Sequence, residues 1–541
     1  MNLVETFLGE GFLLSPDFIK NFGDHDFTWF FKNIKNKIKE KENLLVLNED
    51  LFFLIKGGGK ELSVNWLEFE KSKVFLERQK NNNSYNLFLD VLSCNLGDKK
   101  CKIIEEVFSD GSELIEEKKE KDNSVIVIKS YNNDVKKIEV QDFVGYFRVR
   151  YSSLKKILIN RLELKDTISI GRIVNKESRE RVAVIGIVND KRITKGGNII
   201  LDIEDFTGKL RVILKNTDKE LFDLAQDIVL DEVVGITGVN NKEVVFADNI
   251  IYPDIPLDNV FKKLDREEYA VFTSDLHVGS KLFLEKDFLK FVKWLNGEGG
   301  DKKQKEIANK VKYLFIVGDL IEGVGIYPGQ FDDLEITDVY KQFEKFVELL
   351  SLIRKDINII ICGGNHDALR LAEPQPVLDK KIAKGVYEME NVLIVTNPCI
   401  VNIASSFDFP GFNVLMYHGY SFPYLADNVE SIRKSGRLER ADLIMKFLLQ
   451  RRHLAPTHTS IQYIPNVEED PLIIDIVPDF FVSGHIHRVC ALNYRNVTVL
   501  GCGCWSEESD DQRKRGLVPD PSKVILVNLQ KRDVKILNFK E

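Results

Sequence analysis

Five short apolar runs in the C-terminal half of the chain end alike, each in a polar turn carrying histidine, aspartate or both. The runs are Tyr269 to Phe272, Leu314 to Val317, Ile359 to Cys362, Phe412 to Met416 and Asp479 to Val482. They lead into Ser274-Asp275-Leu276-His277, Gly318-Asp319-Leu320-Ile321-Glu322-Gly323, Gly363-Gly364-Asn365-His366-Asp367, Tyr417-His418-Gly419-Tyr420 and Ser483-Gly484-His485-Ile486-His487. Helical spacing lies between some of them. Leu284, Phe288, Phe291 and Leu295 share one face, as do Val339, Phe343, Phe346 and Leu350. Strands alternating with helices bury a sheet between layers, so residues 262–541 are expected to form a layered α/β domain. Ligands of such sheets collect at the carboxyl ends of the strands, where all five turns fall.

The residue types in those turns suit a pair of divalent ions. Two ions about 3.5–4 Å apart need a bridging carboxylate, with neutral imidazole and oxygen donors around each. Asp319 stands alone at its strand end and suits the bridge. Asp275 and His277, two apart in a turn, can point at one ion, and His485 and His487 can serve one ion each. Asn365 offers an amide oxygen and His418 another imidazole. A lone Gly-Asp or His-x-His is more often an ordinary turn, but five such turns in order, each after an apolar run, form a site. Mixed imidazole and carboxylate donors suit Mn, Fe or Zn better than Mg. No serine or cysteine nucleophile motif stands beside these turns, so the ions are expected to drive the chemistry. His453 and His458 fall outside the pattern and read as structural, and Cys502-Gly503-Cys504 reads as buried small residues.

A chain of 541 residues exceeds one ordinary core. Residues 1–95 read as a mostly helical N-terminal domain of no evident chemistry, with Ser15-Pro16-Asp17 as a helix start. Residues 96–122 are a charged linker and 123–164 a connecting segment. From 165 to 256 the β-rich runs Val182 to Val188, Ile199 to Ile203, Leu210 to Leu214 and Glu232 to Val239 alternate with Gly, Asn and Asp turns. That spacing predicts a small closed barrel, serving as a nucleic-acid groove or as a spacer and subunit contact. Seven cysteines without paired spacing argue for a reducing cytoplasm, and no run is apolar enough to span a membrane. A net charge of −8 is unusual for a protein that grips nucleic acid unaided, so a partner is expected to supply much of any such grip.

The D-x-H, G-D, G-N-H-D, H-G and G-H-x-H series resembles the calcineurin-like metallophosphoesterase superfamily. Finer features resemble one branch, the small subunit of the archaeal family D DNA polymerases. They are Tyr327-Pro328-Gly329-Gln330, Asn365 to Arg370 running into Ala372-Glu373-Pro374-Gln375-Pro376, Arg451 to Pro456, Val477-Pro478-Asp479, and Asp142 to Phe147. The likeness covers roughly Val140 onward, including the barrel, which in that branch is an OB-fold. It implies a phosphoesterase domain over 262–541 holding two divalent ions on Asp275, His277, Asp319, Asn365, His418, His485 and His487, with His366 as the catalytic acid. Asp367 would orient His366 or cap a helix. The implied activity is a metal-dependent 3′→5′ proofreading exonuclease on DNA with a 3′ end. The implied partners are a large catalytic polymerase subunit and a sliding clamp, with no membrane. A catalytically silent scaffold and a phosphomonoesterase or small-molecule phosphodiesterase are the alternatives. The segment Cys502 to Glu507 departs from the branch's usual Gly-Thr-Trp-type pattern.

Overall fold

The computed structural model describes residues 12–14, 45–47, 125–131, 137–241, 243–514 and 517–540. The chain divides into two units, Met1–Lys121 and Asp122–Glu541. In the first, strands β1 (Phe12–Leu14) and β2 (Leu45–Leu47) pair in parallel. The helix start at Ser15 and the charged linker over 96–122 lie outside the described residues.

The second unit opens with strand β3 (Ile126–Ser130) and helix α1 (Val140–Leu158). Residues 123–164 are therefore more than a connection. The buried side of α1 sets Tyr151, Leu154 and Leu158 against barrel residues Ala183, Ile185, Val233 and Ile251, and against Ile473. Next comes a short helix, α2 (Ile170–Val174).

The barrel follows, built from β4 (Arg181–Ile193), β5 (Ile199–Asp205), β6 (Gly208–Leu214), helix α3 (Lys219–Gln226), β7 (Val233–Asn241) and β8 (Val244–Ile251). It closes in the order β4-β5-β6-β8-β7. Strand alternation fills the interior, because Ile199, Leu201 and Ile203 point inward with Leu210, Val212 and Leu214 from the next strand. A register shift between Val188 and Asp190 gives β4 the bend that closure requires. In the predicted turn, Asp205 accepts a hydrogen bond from Thr207 N at 2.7 Å. On the outer face three cations are matched by acids: Arg192 and Arg211 both reach Asp202, and Lys209 reaches Glu204.

Two six-stranded sheets form the rest of this unit. The first runs β12-β11-β10-β9-β18-β19, from β9 (Tyr269–Thr273), β10 (Val311–Val317), β11 (Asn358–Cys362), β12 (Val392–Val395), β18 (Lys523–Asn528) and β19 (Val534–Asn538). The second runs β16-β17-β15-β14-β13-β3, adding β13 (Cys399–Ile403), β14 (Phe412–Met416), β15 (Phe480–Ser483), β16 (Cys490–Tyr494) and β17 (Val497–Gly501). The sheets share one core: Phe272, Phe315 and Val317 meet Val414, Met416, Phe480 and Val482. The Phe272 and Phe315 rings stack at 4.8 Å. Helices α4 (Glu285–Leu295) and α5 (Val339–Ser351) cover the outer face of the first sheet. The expected faces are the buried ones, with Phe288, Phe291, Leu295, Phe343, Phe346 and Leu350 all enclosed. Each such side chain contributes about 1.5–3 kcal/mol. Helix α6 (Ala441–Arg451) and its neighbours cover the second sheet. The five polar turns leave β9, β10 and β11 of one sheet and β14 and β15 of the other, so they converge at one end of the sandwich.

Candidate metal centre

Each strand must turn sharply where its apolar run ends. Asp275, His277, Asp319, His485 and His487 all take left-handed backbone angles, with φ from 49 to 69°. Such residues are held at a conformational cost of order 1–3 kcal/mol each, which is common at functional sites. The turns tie to one another. Asp275 N donates to Gly318 O, His277 N to Asp319 O, and His485 N to both oxygens of Asp275.

Three triads of donor atoms result: Asp275, His277 and His487; Asp319, His418 and His485; and His277, Asp319 and His366. Within each, the atoms lie within 4.8 Å of one another. His277 Nε2 and His487 Nε2 face each other at 3.2 Å, with Asp275 Oδ1 3.3 Å from the latter. Asp319 Oδ2 lies 3.2 Å from His418 Nε2 and 4.0 Å from His277 Nε2, so one carboxylate addresses both sides. Asn365 Oδ1 lies 3.1 Å from His418 Nε2. Every sequence-predicted ligand is thus in one cluster, and His485 and His487 part to opposite sides of it.

Three of the imidazoles set Nδ1 against an oxygen acceptor. His277 Nδ1 is 2.9 Å from Glu322 Oε2, His366 Nδ1 is 2.8 Å from Glu322 O, and His418 Nδ1 is 2.8 Å from Val317 O. A proton on each Nδ1 turns Nε2 of these three rings toward the centre, as a ligand atom on His277 and His418 once metal replaces any second proton, and as a proton carrier on His366. Buried carboxylates and converging imidazole nitrogens suit cations, so the residues present fit divalent metal.

The carboxylates and imidazoles of the site shift one another strongly. Burial opposes ionisation of Asp319, but His418, His366 and His277 outweigh it and hold the carboxyl well below its usual range. Burial likewise opposes charge on His418, yet Asp319 and Asp275 raise it to about 10. His485 is lowered to about 3 by burial and by neighbouring His418, which keeps it a neutral donor. His366 is raised, because Asp319 and Glu322 outweigh its burial.

Asp367 has neither role expected of it. No helix follows it, and its carboxylate accepts from Gly364 N at 2.7 Å, Leu320 N at 2.8 Å and Ile321 N at 3.1 Å. It clamps the second turn to the third, while Glu322 orients His366. Glu322 follows Asp319 by one tight turn, and its proximity in sequence was the available sign of its role.

His453 and His458 lie outside the triads. His453 Nε2 meets Asp470 at 2.9 Å, while its Nδ1 accepts from Ala455 N. His458 Nδ1 meets Asp231 of the barrel at 2.6 Å. Cys502 and Cys504 are buried free thiols and join no donor cluster among the described residues.

Comparison with known proteins matches residues 270–489 to the calcineurin-like phosphoesterase family and 182–243 to the OB-fold nucleic acid binding domain. The DNA polymerase II small subunit of Methanothermobacter thermautotrophicus is 38% identical over 401 residues, covering 74% of this chain and 80% of that protein. The DNA polymerase II small subunit of Pyrococcus furiosus is 37% identical over 415 residues, covering 76% of this chain and 66% of that protein. Its Pyrococcus abyssi counterpart is 38% identical over 405 residues, covering 74% of this chain and 64% of that longer protein.

Proposed function

Because the chain belongs to the family of DNA polymerase II small subunits, we propose that it gives a two-subunit replicative polymerase a metal-dependent 3′→5′ proofreading exonuclease. The observation that carries this reading is the two donor triads, Asp275, His277 and His487 and Asp319, His418 and His485, set side by side with the Asp319 carboxylate reaching toward both. Asp275, His277 and His487 would hold one ion, and His418, His485 and Asn365 the other, with Asp319 between them. Bound there, two ions would supply Lewis acidity for the phosphoryl oxygens and activation of water. The chain's own residues do the rest. His366, held through Nδ1 by Glu322 O and raised in pKa, presents Nε2 as a proton donor to the departing 3′-oxygen. Asp367 keeps the turns of Asp319 and His366 in register.

A partner completes the reading. The net charge is −8, and Arg192, Arg211 and Lys209 on the barrel are paired with acids, which weakens the grip that the chain alone would have on DNA phosphates. A large catalytic subunit would supply most of the channel.

The test is the purified chain with manganese on single-stranded DNA and on a small aryl phosphodiester. Release of nucleotides from the 3′ end, abolished by excess chelator, is expected. Activity on the aryl ester alone would favour a small-molecule phosphodiesterase, and no activity on either would favour a scaffold.

A further inference from the structure

The turn after β10 carries a loop, 323–335, whose construction the metal site does not explain. Its base is rigid. Gln330 and Gln342 are buried and clamp it from two sides: Gln330 Nε2 donates to Glu322 O and Oε1, and Gln342 exchanges hydrogen bonds with both backbone groups of Gly323. A Cβ on Gly323 would meet His366 O at 2.3 Å, so the base packs directly on the His366 backbone. Farther out, Gly325 and Gly329 face open space.

Tyr327 sits in this loop with its hydroxyl tied down, 3.3 Å from Glu322 Oε1 and 3.1 Å from Asp333 Oδ2, while the residue stays 38% exposed. Its ring centroid is 6.5 Å from that of His366. A ring fixed by its hydroxyl loses little freedom when a flat partner stacks on it. Glu322 is the shared anchor, since it also orients His277 and His366.

We propose that Tyr327 forms a nucleobase subsite, its ring the wall on which the terminal nucleotide stacks while its phosphodiester lies at the metal centre. The inference rests on the exonuclease reading and adds what distinguishes DNA from a bare phosphodiester there. Stacking on an aromatic side chain changes affinity by about 5- to 150-fold per base and tolerates any base, as a proofreader requires.

Two measurements on the full chain test it. With calcium in place of manganese, an oligonucleotide ending in 3′-terminal 2-aminopurine should lose fluorescence on binding wild type and Tyr327→Trp, and keep it on Tyr327→Ala. With manganese, Tyr327→Ala should raise KM for single-stranded DNA more than it lowers kcat. It should also cut the preference for DNA over a base-free aryl phosphodiester by about 5-fold or more, with Tyr327→Trp restoring it. Equal losses on both substrates, or unchanged quenching in Tyr327→Ala, would overturn the subsite and leave Tyr327 a structural prop for Glu322. A wild-type chain that cuts the aryl ester but no DNA would instead defeat the exonuclease reading, and the fluorescence result would still decide the subsite.

Discussion

Arg150 and Asp470 stand 320 residues apart in the chain and meet at 2.8 Å with neither side chain reaching solvent. The pair is fully furnished. Arg150 also donates to Pro456 O and to the Tyr146 hydroxyl, and Asp470 accepts from Tyr146, His453 and Leu472 N. It pins α1 to the loop that follows α6.

Removing one member leaves the other charged, buried and unmatched. Arg150→Met or Asp470→Asn is expected to destabilise the unit by about 3–5 kcal/mol, read as a fall in the urea midpoint. Lys176→Ala, which removes an exposed partner of Glu180, should change the midpoint by under about 0.5 kcal/mol equivalent. Similar small effects at both places would show that the buried node is not holding α1.

The same node predicts a pH dependence. Burial and the Arg150 charge lower His453 from 6.5 to about 4. Between those values the unfolded chain binds more protons than the folded one, so stability rises with pH across that window. His453→Asn, which keeps a donor and an acceptor but cannot titrate, should flatten the slope by up to about 1.4 kcal/mol per pH unit. Denaturation midpoints at pH steps from 4 to 7 would show an unchanged slope if His453 were charged in the fold.

Binding and chemistry should separate by mutation at the centre. Asp319→Ala removes the carboxylate that addresses both sides and is expected to lose metal and activity together. His366→Ala should keep two ions while turnover falls by about 10²–10⁴-fold. Metal analysis decides it, because His366 also belongs to a triad with His277 and Asp319. Equal metal loss in both variants would make His366 a ligand.

For the partnership, the isolated chain should bind single-stranded DNA weakly and with steep salt dependence. Adding the large subunit should raise nuclease efficiency chiefly through KM. Exonuclease rate against DNA concentration, with and without that subunit, measures this. An isolated chain that binds and cuts as well as the complex would show the partner dispensable.

The cluster of candidate ligands was legible because each follows a run apolar enough to be a buried strand, and strand ends are where sheets hold ligands. What supports those ligands was not. Gln330, Asp367 and, from helix α5, Gln342 act through backbone groups brought near by turns, and polar residues look alike until the turn they serve is known. Arg150 and Asp470 carry no mark in sequence that they meet. The strand Ile126–Ser130 was obscured for another reason: its apolar residues are short in number, half exposed at a sheet edge, and preceded by a long charged stretch.

That edge strand changes what the barrel is. β3 pairs with β13, placing Ile126 beside Asn402 and Ser130 beside Cys399, so the chain enters the sandwich before it builds the barrel and returns to it at β9. The barrel is an insert clasped at both ends, not a bead hung from one. With His458 holding Asp231 and Arg451 against Glu232 at the join, it has no free swivel. Whatever grasps the barrel therefore also aims the five polar turns, and a subunit docked there would set where the candidate metal centre points without touching it.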